Sequence, residues 1–78
     1  MEWEDQGIVL SVRRHGESSA ILSVFTSSHG RCLGLVKGGM SKGQKSTLQK
    51  GNLLAIKWRA RLEAHLGTFS CNLLRSNA

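Results

Sequence analysis

The sequence has no proline and no tyrosine, and it contains only two cysteines, five acidic residues and short apolar runs. Cys32 and Cys71 form no Cys-x-x-Cys pair and have no histidine at zinc-finger spacing, which argues against a disulfide framework or a zinc finger. Both are predicted to be small apolar core residues in a reducing compartment. No apolar run could span a bilayer, and the acidic start MEWEDQ does not fit a secretory signal. These absences predict a cytoplasmic protein without a membrane partner.

The chain is long enough for one small domain. Because acidic residues are scarce, that domain carries a strong positive charge. Eleven Lys and Arg residues give the 78-residue chain a net charge of +6. Residues 1–10 hold three acids and no base, whereas residues 11–62 hold ten bases and one acid, Glu17. Such a concentration of charge favours an anionic partner, with nucleic acid first and a membrane surface second. Composition alone leaves a plain basic, solvated surface as an equal alternative.

Segments rich in β-branched and aliphatic residues alternate with turn signals, which is typical of an all-β domain. The turn signals are HGES, SSHG and KGN. The predicted strands cover residues 7–14, 19–26, 31–37, 53–61 and 67–75. Frequent turns favour a barrel or a sandwich over alternating βαβ units. The segment RLEAHLG, residues 61–67, predicts one short helical turn.

The first, second and fourth predicted strands indicate which side chains share a face. In the first, Ile8, Leu10 and Val12 share one face and Val9 lies on the other; in the second, Leu22 and Val24 oppose Ile21 and Phe25. In the fourth, one face carries Leu54, Ile56 and Trp58, and the other carries Lys57, Arg59 and Arg61. The apolar face of the fourth strand should pack in the core, which turns its three cations toward solvent or a ligand.

Aromatic residues are few, which weakens any expectation of base stacking. Single-strand binding proteins use exposed aromatics as platforms for bases. Phe25, Phe69 and Trp58 are predicted to lie in the core, and Trp3 to cover one end of the domain. Electrostatic contacts would then supply most of the binding.

The glycine-rich stretch VKGGMSKGQKS, residues 36–46, resembles a Walker A loop but departs from it. Gln44 separates the second glycine from Lys45, and the sequence predicts no helix of useful length behind it. Nucleotide hydrolysis is therefore disfavoured. The alternative is a basic loop over residues 37–50 that contacts phosphates through Lys37, Lys42, Lys45 and Lys50. A plain mobile surface loop remains the competing interpretation.

Catalytic and metal-binding patterns are missing from the sequence. The histidines His15, His29 and His65 are scattered among predicted turns, and Glu17 sits alone in a hairpin turn. No Cys–His or Ser–His–Asp arrangement can be argued from the spacing. The sequence therefore predicts a protein that is not an enzyme and needs no cofactor or metal.

The order of several short motifs resembles the N-terminal domain of the RecO recombination mediator family. The matching segments are GIVLSVRRHGESSAILSVFTSSHGR, GLVKGGMSK and LQKGNLL, which cover most of residues 6–55. The family pattern has a Gly-x-Val-Leu strand, a Gly-Glu-Ser turn, a His-Gly turn and a Lys-Gly pair before a basic loop. The resemblance implies an OB-fold, a five-stranded Greek-key barrel that handles oligonucleotides. The last third of the chain fits the pattern more loosely.

The resemblance also implies a role in bacterial recombinational repair. RecO proteins bind single- and double-stranded DNA, anneal complementary strands, and work with RecR and with DNA coated by RecA or by single-strand binding protein (SSB). They continue into a helical domain, often with a zinc-binding element. The expectation is therefore that residues 1–78 form one OB-fold domain, the N-terminal part of a longer RecO-like protein, with the helical and zinc-binding part absent.

The leading hypothesis from the sequence is a DNA-binding domain that assists repair. The alternative is a basic module that binds an acidic protein or RNA without a repair role. The residues predicted to contact DNA are Arg14, Lys37, Lys42, Lys45, Lys57, Arg59 and Arg61, with Arg13, Arg31 and Lys50 as second-rank candidates.

Overall fold

The chain folds into a closed five-stranded barrel with one short helix. The computed structural model describes residues 1–39, 41–60 and 66–76, and of Lys42 only the backbone. The elements are β1 (Glu2–His15), β2 (Ser19–Thr26), β3 (Gly30–Val36), α1 (Lys42–Thr47), β4 (Leu53–Arg59) and β5 (Thr68–Arg75). The strand order is β1-β2-β3-β5-β4, and β4 pairs back onto β1. The predicted all-β, OB-like barrel is confirmed.

Strand β1 begins earlier than the sequence pattern predicted. Its first half, Glu2 to Ile8, pairs with β4, and its second half pairs with β2. Glu2 lies opposite Arg59 and Glu4 lies opposite Lys57. Opposite charges across neighbouring strands stabilise a sheet, so this acidic segment forms a strand although it lacks an apolar alternation.

A bulge in β1 changes which of its side chains face inward. The pairing with β2 shifts between Val9 and Ser11, which leaves Leu10 as an extra residue. Val9 is therefore buried and Val12 packs against the core, while Ile8 is 47% exposed. The prediction that Ile8 and Val12 share a face is wrong for this reason.

The core is built from the alternating inward side chains of the barrel. It includes Val9, Leu22, Val24, Val36, Leu48, Leu54, Ile56, Trp58 and Phe69. The core positions predicted for Trp58 and Phe69 are confirmed. The core position predicted for Phe25 is wrong, because it lies between the buried Val24 and Thr26 and thus points outward, 58% exposed.

Both cysteines lie at the edge of the core, in agreement with their predicted apolar role. Cys32 and Cys71 are free thiols, partly buried and packed against the core cluster. Burial raises the pKa of the Cys71 thiol to about 11. This side chain therefore stays protonated and behaves as a small apolar group.

Glycine at position 34 allows β3 to approach β5 closely. A Cβ added to Gly34 would lie 2.7 Å from the ring carbons of Phe69. The Phe69 ring thus covers the backbone of β3 at the place where the two strands meet. The parallel pairing between β3 and β5 is short. Leu35 pairs with Thr68, and the Leu35 amide donates a hydrogen bond to the Gly67 carbonyl at 3.0 Å.

The connection between β3 and β4 contains a helix where the sequence predicted an open glycine loop. Ser41 caps α1, and its side chain accepts a hydrogen bond from the Gln44 amide. Leu48 follows the helix and is buried in the core. The Asn52 side chain donates to the carbonyls of Ser46 and Thr47, each at 3.1 Å. These contacts fix the segment, and sequence periodicity could not show them in so short a helix.

The helical turn predicted for residues 61–67 falls mostly outside the described residues, as does His65. In the described part, the Trp58 indole N–H donates a hydrogen bond to the Leu66 carbonyl at 3.2 Å. Gly67 adopts a φ of +79°, and a Cβ there would overlap the Trp58 indole. The chain therefore enters β5 directly beneath a core tryptophan.

Candidate nucleic-acid interface

Three of the predicted DNA contacts converge on one polar cavity. Lys57 and Arg59 point outward from β4, and Lys37 follows the end of β3. Thr68 and Ser70 lie opposite Arg59 and Lys57 on β5. The five side chains line a cavity of about 290 Å³, and we call them the basic face: Lys37, Lys57, Arg59, Thr68 and Ser70. The arrangement combines three cations with two hydroxyl groups.

The cations of β4 also contact an acidic side chain of β1. Glu2 Oε2 lies 3.1 Å from Arg59 Nε, and Glu2 Oε1 lies 3.8 Å from Lys57 Nζ. The hydrogen bond from Arg59, followed by the nearby charges of Lys57 and Arg59, lowers the pKa of the Glu2 carboxyl. All three groups are solvent-exposed, so these ion pairs are weak and can be exchanged for other anions.

Arg14 does not line this cavity. Its guanidinium Nε donates to the Gly16 carbonyl at 3.2 Å, and a terminal nitrogen donates to the Glu17 carbonyl at 3.1 Å. Both acceptors belong to the turn between β1 and β2. The side chain therefore holds the hairpin turn, with its remaining N–H groups available to solvent.

The other predicted contacts are distributed around the barrel or fall outside the described residues. Lys45 is exposed on α1, and Lys50 is exposed in the segment before β4. Nothing is described of the Lys42 side chain or of Arg61. Lys37, Lys57 and Arg59 therefore form the predicted set that the structure brings together.

A second surface lies on the outer side of β1, β2 and β3, where the sequence places apolar residues on the second alternation. Its exposed apolar side chains are Ile8, Phe25 and Leu33, with exposures of 47%, 58% and 49%. Ile21, half-buried, points outward on the same side of β2 as Phe25. We call these four residues the apolar face. The sequence already placed Ile21 and Phe25 opposite Leu22 and Val24 on β2, and in the structure Leu22, Val24 and Thr26 fill the inward positions.

The turn between β2 and β3 is joined to the start of β1 by an aromatic and acidic cluster. Trp3 stacks on His29 with ring centroids 3.8 Å apart, and on the core residue Trp58 at 5.6 Å. Asp5 accepts hydrogen bonds from the Ser28 amide at 2.8 Å and the Gln6 amide at 2.7 Å. These bonds lower the pKa of the Asp5 carboxyl, which also lies 3.2 Å from His29 Nδ1. The cluster fixes the turn that begins β3.

The described residues supply no metal centre and no membrane span. Across residues 1–39, 41–60 and 66–76, no group of three or more His, Cys, Asp and Glu side chains could hold a metal ion. No helix in the same part of the chain is long and apolar enough to cross a bilayer.

Comparison with known proteins identifies the family of the chain. The sequence model of the family described as "Recombination protein O N terminal" matches residues 1–77. The chain belongs to this family. It is 56% identical over 78 residues to a protein named DNA repair protein RecO from Mesorhizobium japonicum. It is 58% identical to a protein of the same name from Chelativorans sp., and 55% identical to one from Bradyrhizobium diazoefficiens. The resemblance inferred from the short motifs is confirmed.

The chain corresponds to one part of these relatives. All of its 78 residues align with the Mesorhizobium and Chelativorans proteins, but they cover 31% and 32% of those sequences. The chain therefore spans about a third of the length of the curated relatives that it matches. The match to these relatives covers the part of their sequences that corresponds to the barrel.

Proposed function

We propose that this domain binds DNA through its basic face and serves as a DNA-binding part of a recombinational repair mediator. The observation that carries the proposal is the convergence of Lys37, Lys57 and Arg59 on one cavity with two hydroxyl groups. Family membership and the basic character of residues 11–62 support it.

The proposed mechanism is the neutralisation of backbone phosphates. Lysine supplies a point charge, and the Arg59 guanidinium supplies several N–H donors in a fixed plane. The Thr68 and Ser70 hydroxyls can donate to phosphate oxygens beside these charges. Contacts of this kind position a strand without reading its sequence, and they release counterions on binding. Arg14, Lys42, Lys45 and Arg61 are proposed as additional phosphate contacts.

We further propose that this domain provides DNA contacts for the activities expected of longer RecO proteins. These are the annealing of complementary strands, cooperation with RecR, and work on DNA coated by RecA or SSB. We also propose that the domain is not an enzyme, since no catalytic arrangement can be argued from its sequence spacing.

The proposal is tested by the salt dependence of DNA binding. The affinity of the 78-residue chain for a single-stranded oligonucleotide should fall with salt, with a logarithmic slope of about −0.7 for each phosphate neutralised. Lys57→Ala/Arg59→Ala should weaken single- and double-stranded DNA binding roughly tenfold and make the single-strand slope shallower by about 1.4, which is about 0.7 for each cation removed. Arg75→Ala, which removes an exposed cation at the end of β5, is the matched control.

Two results would contradict the proposal. One is an affinity that does not change with salt. The other is an acidic peptide that displaces DNA completely and binds more tightly than any oligonucleotide, which would favour the alternative of a basic protein-interaction module. Thermal unfolding of each variant shows whether a loss of binding reflects a loss of structure.

A further inference from the structure

A stack of three rings joins the turn between β2 and β3 to the core of the barrel. The Trp3 indole lies between the other two rings. Its centroid is 3.8 Å from that of His29, with 8° between the planes, and 5.6 Å from that of Trp58, with 19° between the planes. Trp58 is buried, Trp3 packs against the core cluster, and the His29 side chain is the exposed end of the stack. The His29 ring can therefore exchange a proton with water while it contacts a side chain of the core.

The His29 ring also contacts one carboxylate. His29 Nδ1 lies 3.2 Å from Asp5 Oδ2, and the Asp5 side chain is only 9% exposed. Hydrogen bonds from the Ser28 and Gln6 amides lower the pKa of the Asp5 carboxyl. Asp5 therefore stays an anion from about pH 5 to about pH 8, the range in which histidines gain or lose a proton. One fixed negative charge thus faces a ring that can become positive.

The other strands that meet this turn present neutral groups to it. On β2, the Thr26 hydroxyl accepts a hydrogen bond from the His29 amide at 2.9 Å. On β3, the Cys32 thiol donates to the His29 carbonyl at 3.4 Å, and Arg31 points to the outer side of the strand, opposite Phe25. On β1, the acids at positions 2 and 4 lie on the face away from Trp3 and Asp5.

We propose that His29, Trp3 and Asp5 form a pH-sensitive latch that holds the start of β1 against the turn between β2 and β3. The neutral ring stacks on Trp3 and can donate one hydrogen bond to Asp5. The protonated ring keeps both contacts and adds an ion pair with Asp5 and a cation–π interaction with the face of the indole. A partly buried ion pair is screened less than an exposed one. The latch is therefore tighter in mildly acidic solution and looser above neutral pH, and it does not depend on DNA binding.

The pH dependence of thermal unfolding tests the latch. His29→Gln keeps a polar side chain that never carries a charge. His15→Gln is the matched control, because His15 is exposed at the end of β1. The stabilisation from a protonated His29 is present in acid and is lost as the pH rises. The melting temperature of the wild type minus that of His29→Gln should be about 3–6 °C larger at about pH 5.5 than at about pH 8. The same difference for His15→Gln should not change with pH.

A double-mutant cycle assigns the effect to the contact between His29 and Asp5. Asp5→Asn removes the charge but keeps an oxygen that can accept from the Ser28 amide. The coupling between His29→Gln and Asp5→Asn in melting temperature should be clear at about pH 5.5 and smaller at about pH 8. If Asp5→Asn does not fold, the comparison of the two histidine variants decides by itself.

The proposal would be overturned by a difference between the wild type and His29→Gln that is the same at both pH values. An equal pH dependence for His15→Gln would also overturn it, because the effect would then be general to histidines of the barrel. A coupling between His29 and Asp5 that does not change with pH would show that the neutral ring already makes the whole contact. None of these measurements uses DNA, so failure of the latch is distinct from failure of the proposed function.

Discussion

The basic face and the apolar face lie on the same barrel but differ in how their cations are partnered. On the basic face, Lys57 and Arg59 share the carboxylate of Glu2. On the apolar face, Arg13 and Arg31 have no such partner among the described residues. An anion that binds Lys57 and Arg59 would have to displace the Glu2 carboxylate, whereas one that binds Arg13 or Arg31 would not. The difference predicts loose, exchangeable binding of anions at the basic face.

The strand that joins the two faces is the place where one change should disturb both. Gly34→Ala would push a methyl group into the Phe69 ring and separate β3 from β5. Overpacking of this kind should lower the free energy of unfolding by about 2–3 kcal/mol, as measured by urea denaturation.

The matched control for that substitution is Gly43→Ala in α1. A Cβ at Gly43 meets no atom within 4 Å, and alanine favours a helix over glycine by up to about 1 kcal/mol. Gly43→Ala should therefore leave stability unchanged or raise it. Equal destabilisation by the two substitutions would show that the β3–β5 seam is not closely packed.

Removing the Glu2 carboxylate should raise the affinity of the basic face for DNA. Glu2→Gln leaves Lys57 and Arg59 without their acidic partner, so DNA affinity at neutral pH should rise roughly two- to fivefold. The salt slope should become steeper, because more counterions are then released on binding. Glu4→Gln is the control, since Glu4 forms no ion pair in the described structure.

The same substitution has a pH signature with a definite sign. The pKa of Glu2 is lowered by Arg59 and Lys57, so the carboxylate remains charged until the pH falls below its usual range. As the pH falls through that lowered pKa, the wild type should gain affinity and converge with Glu2→Gln. A constant difference between the two proteins over the whole titration would contradict the assigned ion pairs.

Local sequence patterns predicted an all-β domain, either a barrel or a sandwich, because strand alternation and turn residues are local features. Leu54, Ile56 and Trp58 alternate with Lys57 and Arg59, and this pattern alone gave the two sides of β4. Family resemblance then supplied the OB-like topology. The beginning of β1 escaped prediction because residues 2–6 form a strand through charges that lie opposite them on β4.

The candidate site could be predicted only in part, because it depends on contacts between distant segments. The pattern of β4 indicated that Lys57 and Arg59 point outward. It could not show that Glu2 reaches them or that Lys37 lies beside them, since both facts follow from long-range pairing. Phe25 was misplaced because its size and apolar character were given more weight than its position between two inward residues.

The proposed function requires DNA to contact the basic face. The most direct test is an NMR titration of the 78-residue chain with a short single-stranded oligonucleotide and, separately, with a duplex. Each ligand should shift the amides of Lys37, Lys57 and Arg59 more than the amide of Arg75. Amides of Lys37, Lys57 and Arg59 that shift with neither ligand would contradict the proposed function.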